Sequence, residues 1–314
     1  MKHLFPLLLA LIFTVSCKSQ STVYFTSDIS PESLVKIFQA LGVEPSGKVA
    51  VKISTGESAQ SHHLRPELIK DLVQSVDGTL VECNTVYNGN RNTTEAHKKA
   101  VAERGYTAIA PVDIMDEEGD IKIPVADSKW IEYDIVGSHL PNYDFMINLA
   151  HFKGHQMGGF GGVLKNASIG VASSAGKSYI HSAGKSVDHP WGNDNQDSFL
   201  ESMAAAAQAV HNYFKQDCKD IVYINVMNNM SVDCDCNGHP ASPELRDMGI
   251  LASTDPVALD QACLDLVFNH ESTGDDNAAP LIERINRMHG THIVDYAEQI
   301  GLGTREYRII EIRD

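Results

Sequence analysis

The chain has 314 residues, 43% of them hydrophobic and 21% charged, enough apolar material for a large core and too little bias for disorder, collagen or a membrane-spanning bundle. Twenty-five Lys and Arg stand against 41 Asp and Glu, a formal charge of −16. With no basic block, nucleic acid is excluded as an expected partner, as is docking on anionic lipid through a polybasic patch. Six cysteines are too few for a disulfide-built scaffold.

Met1-Lys2-His3 opens a short positive segment, followed by the apolar run Leu4–Val15. That run is shorter than the roughly 20 residues a spanning helix needs and has the dimensions of a secretory leader. Thr14-Val15-Ser16-Cys17 resembles the lipobox of bacterial lipoproteins, with Thr14 where Leu is commoner. The resemblance implies removal of residues 1–16, lipidation of Cys17, and a protein anchored at the periplasmic face of the bacterial cell envelope. An ordinary signal peptide cleaved nearby is the alternative. With Cys17 lipidated, Cys83, Cys218, Cys234, Cys236 and Cys263 remain, an odd number that points to metal or redox chemistry rather than stapling.

From Thr22 the pattern alternates β-branched runs with helical stretches. Thr22–Thr26 reads as a strand, and Ser30-Pro31-Glu32 opens a helix to about Leu41. Lys48–Ile53, Thr79–Glu82 and Thr107–Val112 are expected strands, with helices over Pro66–Val76 and Thr94–Arg104. Ile121–Val125 and Trp130–Val136 suit a hairpin or an edge, and Tyr143–Leu149 a central strand. His151–Asp197, rich in Gly, Ser, His and Asn, is long for a connection, and 171–197 is expected to be a flexible segment. Gln196–Phe214 is an expected buried helix. Strands over Ile221–Met227 and Met248–Ala252 follow, then helices to Phe268 after the cap Asp255, over Pro280–Arg287 and over Ile293–Ile300, and an edge strand over Arg308–Ile312. The rhythm predicts one large α/β domain over 17–314 with a subdivision near 140. Its sheet is expected to be mostly parallel and Rossmann-like, flanked by helices, with mixed or antiparallel edge strands.

In such sheets ligands sit beyond the carboxyl ends of strands. Three loops there carry chemistry. His151–Asn166 brings two imidazoles, Lys153, Lys165 and a run of glycines; it suits an anion or phosphate, or is a tight crossover with its polar groups in water. Asp233-Cys234-Asp235-Cys236 places two soft donors on one side of an extended backbone, and His151, His155, His181 or His239 could complete a metal set. A disulfide or two inert thiols are the competing readings. Glu57, at a strand end, could serve as ligand or general base. Gly170–Ser178 looks like a P-loop, but five residues separate its glycines where that pattern has four, so no nucleotide cofactor is expected. His62, His63 and His97 are expected to be surface residues without function.

Taken together, VAVKISTGE (49–57), NLAHFKGHQMGGFGGVLKNASIG (148–170), SVDCDCNG (231–238), MGILASTDPVALDQACLDLV (248–267) and GLGTREYRII (301–310) resemble the bacterial and archaeal family called domain of unknown function 362. Its members are often labelled iron–sulfur-centre proteins. The resemblance implies an α/β fold and no settled activity. Ser178–Asp197, where many relatives carry a cysteine-rich insertion, holds no cysteine, so an iron–sulfur cluster is not expected. The positions that match the family blocks are Lys52, Glu57, His151, Lys153, His155, Lys165, Asn166, Lys177, His181, Cys234, Cys236, Asp247 and Asp255, with Asp247 equally suited to capping backbone.

The expectation is a pocket with Glu57 and Lys153 as catalytic groups. Lys52, Lys165, Asn166 and Lys177 would bind a small anionic molecule. Cys234, Cys236, His151, His155 and His181 would hold zinc or iron. A metal-dependent or redox enzyme follows from that set; a non-catalytic metal- or ligand-binding module and a structural scaffold are the rivals.

Overall fold

The computed structural model describes residues 20–313, so Cys17 and the leader lie outside the described residues. Ser30 and Pro31 start α1 (Pro31–Ala40) after strand β1 (Ser21–Thr26), with the Ser30 hydroxyl accepting from the Ser33 amide. Then follow β2 (Val49–Lys52), α2 (Pro66–Ser75), β3 (Thr79–Glu82), α3 (Thr94–Glu103) and β4 (Val112–Ile114). β5 (Asp120–Pro124) and β6 (Tyr133–Gly137) form the expected antiparallel pair, and β7 (Phe145–His151) is buried throughout. Two short strands, β8 (Lys153–His155) and β9 (Gly159–Gly161), lead into helices α4 (Val163–Ala167) and α5 (Ser174–His181). The second half continues with α6 (Gln196–Phe214), β10 (Asp220–Met227), β11 (Gly249–Ser253), α7 (Pro256–Phe268), α8 (Ala279–Arg287), α9 (His292–Gln299) and β12 (Tyr307–Glu311).

The central sheet has eight strands in the order β12-β1-β11-β10-β7-β2-β3-β4. Seven run one way, and β11, between β1 and β10, is antiparallel to both. Strands from both sides of residue 140 share this sheet, since β7 pairs with β2 and with β10.

Side-chain alternation sorts the core into two layers. Val49, Val51, Phe145, Ile147, Leu149, Val222 and Ile224 face α1, α2 and α3. Ala50, Met146, Ala150 and Tyr223 face α4, α6 and α7. The same alternation puts Lys52, Asn148 and Asn225 on this second face, a polar row inside a core that must be hydrogen-bonded to be tolerated.

Two expectations are corrected. The strand placed at Thr107–Val112 begins only at Val112. Gly105 turns the chain with a positive φ, and the buried Tyr106 hydroxyl donates to the Leu64 carbonyl at 2.6 Å, holding Tyr106–Ala108 in a short 3-10 turn. The stretch 171–197 is not irregular throughout. Ser174–His181 is a buried helix, capped by Ser173, and Gly176 is needed there because a Cβ would strike the Ile135 carbonyl.

Candidate functional site

The carboxyl ends of β2, β3, β7 and β10 open on one cavity of 340 Å³. The loops expected to meet do meet. The Glu57 amide donates to the Asp235 carbonyl (2.8 Å), and Gly154 to that of Ser231 (2.8 Å). Lys52 comes from the end of β2, Glu82 from β3, His151 from β7, Lys153 and His155 from β8, Lys165 and Asn166 from α4, and Lys177 and His181 from α5.

The short helix α4 is fixed from below. Asp260 of α7, fully buried, accepts from the Val163 and Leu164 amides (3.0 Å each) and from Asn225 Nδ2 (2.7 Å), which satisfies the helix's first orphan donors. Burial pushes its carboxyl up to about 6. Asn166 ties α4 to the sheet, with Nδ2 donating to the Lys52 carbonyl (3.0 Å) and to Asn148 Oδ1 (2.6 Å), and Oδ1 accepting from Lys52 Nζ (3.1 Å).

Five cationic side chains line the cavity (Lys52, Arg91, Lys153, Lys165 and Lys177) against two carboxylates, Glu82 and Asp235. Both carboxylates are committed. Asp235 bridges His151 Nδ1 and Lys153 Nζ, each at 2.9 Å. Burial works against its charge, but Lys153 and then His151 hold it well below the usual carboxylate range. Glu82 meets Arg91 (3.3 Å) and His97 (2.7 Å) and is likewise held low against its burial.

Among the described residues no carboxylate pairs with Lys52, Lys165 or Lys177. Lys52 donates to the Ile53 carbonyl (2.6 Å) and Lys177 to that of Ala172 (2.6 Å). Lys165 Nζ has no hydrogen-bond partner among the described residues and opens into the cavity. Burial, then the Lys153 charge, brings the Lys165 amine down to about 7, and burial brings Lys52 to about 8. Both imidazoles are neutral at pH 7. Burial and then Lys165 hold His155 well below its usual value, and burial lowers His181 to about 4. His181 donates from Nδ1 to the Lys177 carbonyl (2.7 Å), leaving its Nε2 lone pair without a proton.

Several expected roles are corrected. Glu57 lies outside the cavity lining, its carboxylate bound to the Asn90 amide, to Arg91 Nε (3.3 Å) and to the Tyr87 hydroxyl (3.4 Å), so it anchors a turn. Lys153 is an ion-paired ammonium and His151 has acceptors at both nitrogens, Asp235 and the Asn228 carbonyl (2.6 Å), which leaves it no lone pair for a metal. His63 and His97 are buried, not surface, residues: His63 Nδ1 meets the Tyr106 hydroxyl at 2.6 Å, and His97 bridges Glu82 and Asn84. His239 is exposed and away from the cavity. Asp255 caps α7 as expected, and Asp247 caps backbone at the Asn229 amide (2.7 Å).

Of the expected metal set, the structure gathers His155, Cys234 and Cys236, with ligand atoms within 4.8 Å of one another. The two cysteines are joined as a disulfide. A disulfide offers no thiolate charge, and His155 Nδ1 accepts from the Gly158 (2.9 Å) and Met157 (3.2 Å) amides, which puts the ring proton on Nε2. The donors therefore fit a metal only once the disulfide is reduced and that proton displaced. A second group, Asp113, Glu117 and His139, is taken up internally: Asp113 binds His139 (2.8 Å) and Tyr143 (2.7 Å), and Glu117 binds Lys98.

Glu82, Arg91, Tyr87, Asp235 and Asp260 are the residues that sequence reasoning passed over. Glu82 had a signal, since it ends an expected parallel strand. Asp235 stood inside the CDC motif, between the two cysteines, and lines the cavity with them.

The family described as a domain of unknown function (DUF362) matches residues 49–265. The chain belongs to this family. No curated protein matches it. Among solved structures it is similar to the lactate racemase apoprotein of Thermoanaerobacterium thermosaccharolyticum, with a TM-score of 0.45 and 14% identity, over 78% of this chain and 56% of that one. It is also similar to a protein of Thermotoga maritima, with a TM-score of 0.43 and 12% identity, over 86% of this chain and 58% of that one. The chain thus spans less than two thirds of either neighbour. The site falls within the matched segment, from Lys52 to Cys236 and on to Asp260.

Proposed function

We propose that the protein binds a small anionic molecule in this cavity and acts on it as an enzyme. One observation carries the reading: in a chain of charge −16, three lysines without a carboxylate partner line one cavity. Burying an unpaired ammonium costs several kcal/mol, and a bound anion is the counter-charge that removes the penalty. Lys52 and Lys177, held by backbone carbonyls, would grip the anion. Lys165, near neutrality at pH 7, would give or take a proton on it, and His181 Nε2 would accept a hydrogen bond. The disulfide, Met157 and Trp191 add apolar surface to the cavity wall.

The test is a titration with phosphate, oxalate and citrate, read by thermal unfolding and by the emission of Trp191, which lies at the cavity mouth and is 63% exposed. At least one anion is expected to raise the Tm of the wild type and to change that emission. Lys52→Met and Lys165→Met should each weaken both responses. If no anion does either, the reading falls.

A second reading rests on the clustering of His155, Cys234 and Cys236. In the reduced protein these residues would hold a transition metal, zinc or iron, which would supply Lewis-acid or redox chemistry beside the anion. Elemental analysis after anaerobic reduction, zinc or iron loading and dialysis tests it, with the Cys234→Ser/Cys236→Ser double variant as control. Equal metal in both would sink it. The leader motif supports export and lipid anchoring through Cys17; incorporation of labelled palmitate that is lost in Cys17→Ser is the corresponding check.

A further inference from the structure

We propose that Lys165 is a nucleophile that forms an imine with a small anion carrying an aldehyde or ketone group; this rests on the anion-binding reading above and names its substrate class. Lys153 is neutralised by Asp235, while Lys52 and Lys177 are each held by a backbone carbonyl with protons left to bind the anion. Glu82 and Asp235 are paired and held ionised, so no carboxylate is left to pull a proton from substrate. Burial pushes the Cys83 thiol up to about 12, and its Sγ points at the Val171 carbonyl (3.2 Å); the Tyr87 hydroxyl is also pushed up to about 12. Cys234 and Cys236 are paired as a disulfide. Among the described residues, no imidazole or carboxylate is bonded to Ser54 or Thr85 to act as base. His155 Nδ1 is occupied by two amides.

The groups left are His181, whose bare Nε2 can act as a base, and Lys165. Lys165 is a primary amine with no hydrogen-bond partner among the described residues, fixed on a helix whose first turn is held by Asp260, and open to the cavity. The charged and titratable groups around it are Lys153, Asp235, Lys52, Lys177, His155 and His181. Their balance is positive, which favours the neutral amine until an anion enters.

The chemistry balances without any further reagent. The Nζ lone pair forms a bond to the carbonyl carbon while the C=O π pair moves to oxygen, which takes a proton. Nitrogen, cationic after the attack, loses one proton and so recovers a lone pair; that pair forms C=N as the hydroxyl, protonated by solvent, leaves as water. The sum is amine plus carbonyl plus one proton from solvent, giving a cationic iminium and water. The anionic end of the substrate, beside Lys52 and Lys177, offsets the new charge. An iminium draws electrons from the adjacent bond, which is what a later proton loss or decarboxylation would use.

The purified protein is incubated with pyruvate, glyoxylate or pyridoxal 5′-phosphate and reduced with borohydride, which delivers hydride to an imine carbon and fixes the adduct. Intact mass and peptide mapping should then show a single carbonyl-derived adduct on Lys165, absent with lactate and lost in Lys165→Arg. The pyruvate and glyoxylate arms read out oxo acids, and the pyridoxal arm reads out an aldehyde joined to a phosphate. The trapping rate should be half-maximal near pH 7, not above pH 10 as for an ordinary lysine. If the same anions raise Tm yet no adduct maps to Lys165, or the adduct maps to Lys52 or Lys177, the proposal is overturned and the anion site stands. If no anion binds, both fall. Because the decisive mapping is done on the wild type, a misfolded variant cannot rescue or mask the result.

Discussion

Lys153 Nζ lies 2.9 Å from Asp235 Oδ2, and the other oxygen of that carboxylate lies 2.9 Å from His151 Nδ1. One buried acid thus compensates two neighbours in a cavity that holds three more lysines without any. Asp235→Asn keeps the shape and removes the charge. Breaking a buried pair from one side typically costs about 3–5 kcal/mol, and that loss is expected in the urea midpoint. The pH dependence has a definite sign. The folded carboxyl titrates well below its ordinary value of about 3.9, so its contribution is present above pH 4 and is lost as pH falls further. Wild type should therefore lose stability below pH 4 more steeply than the variant. Matching midpoints at pH 7 would mean that Asp235 is not the counter-charge.

Lys165 and Lys52 give the opposite dependence. Their folded values, about 7 and about 8, lie under the roughly 10.4 of an unfolded lysine. Between those limits the unfolded chain binds more protons, so this part of the stability rises as pH climbs from about 7 to about 10. Other groups also titrate there, so the measurement is the difference between wild type and Lys165→Met. The variant should be the more stable of the two at pH 7, with the gap closing by pH 10. A saturating anion should narrow the gap at pH 7 by re-protonating Lys165. A gap that does not change with pH would show that the amine is protonated throughout.

The alternation of strands and helices was legible because the central strands are apolar runs buried on both faces, as at Ile221–Met227, and several helix starts are marked, as at Ser30-Pro31 and Asp255-Pro256. That the loops after β2, β7 and β10 would share a site followed from parallel topology. The place of β11 between β1 and β10 did not, because pairing partners are not local. Nor could sequence rank the lysines: Lys153 and Lys165 sit in one glycine-rich block, and only the folding of Asp235 onto Lys153 separates a paired ammonium from an unpartnered amine. Glu82 ends the parallel strand β3 and Glu57 follows β2, yet the turn carrying Arg91 draws Glu57 away from the cavity and leaves Glu82 at its wall. The helix α5 was hidden by its small polar residues, which have weak helix propensity. Its glycine is required by close contact with β6 rather than by a turn.

The disulfide gives a count that can be checked directly. In the chain from residue 20 onward, Cys83, Cys218 and Cys263 carry free thiols, while Cys234 and Cys236 are paired. Protein unfolded without reductant should titrate three thiols and gain two after treatment with a dithiol. The Cys234→Ser/Cys236→Ser variant should titrate three in both conditions. Metal uptake, where it occurs, should appear only in the reduced wild type, because thiolates and not disulfide sulfurs are ligands. Five thiols without reductant would show that the pair rests in its dithiol state.

Asp260 is the remote residue on which the site's geometry depends most. Its two oxygens take the first free amides of α4, and Asn225 adds a third donor from β10. Asp260→Ala would leave three buried N–H groups without acceptors, each worth about 1–3 kcal/mol when orphaned, partly relieved by local rearrangement. A net loss of about 3 kcal/mol in unfolding free energy is the expected outcome. Lys165 lies in the first turns of the helix so released, and its side chain, which nothing else holds, should sample the cavity more widely. Trapping of carbonyl anions on Lys165 should then slow even at temperatures where the variant is fully folded, while a surface substitution of equal thermodynamic cost, chosen on α2, should leave that rate unchanged. Loss of stability with an unaltered trapping rate would reduce Asp260 to a packing residue.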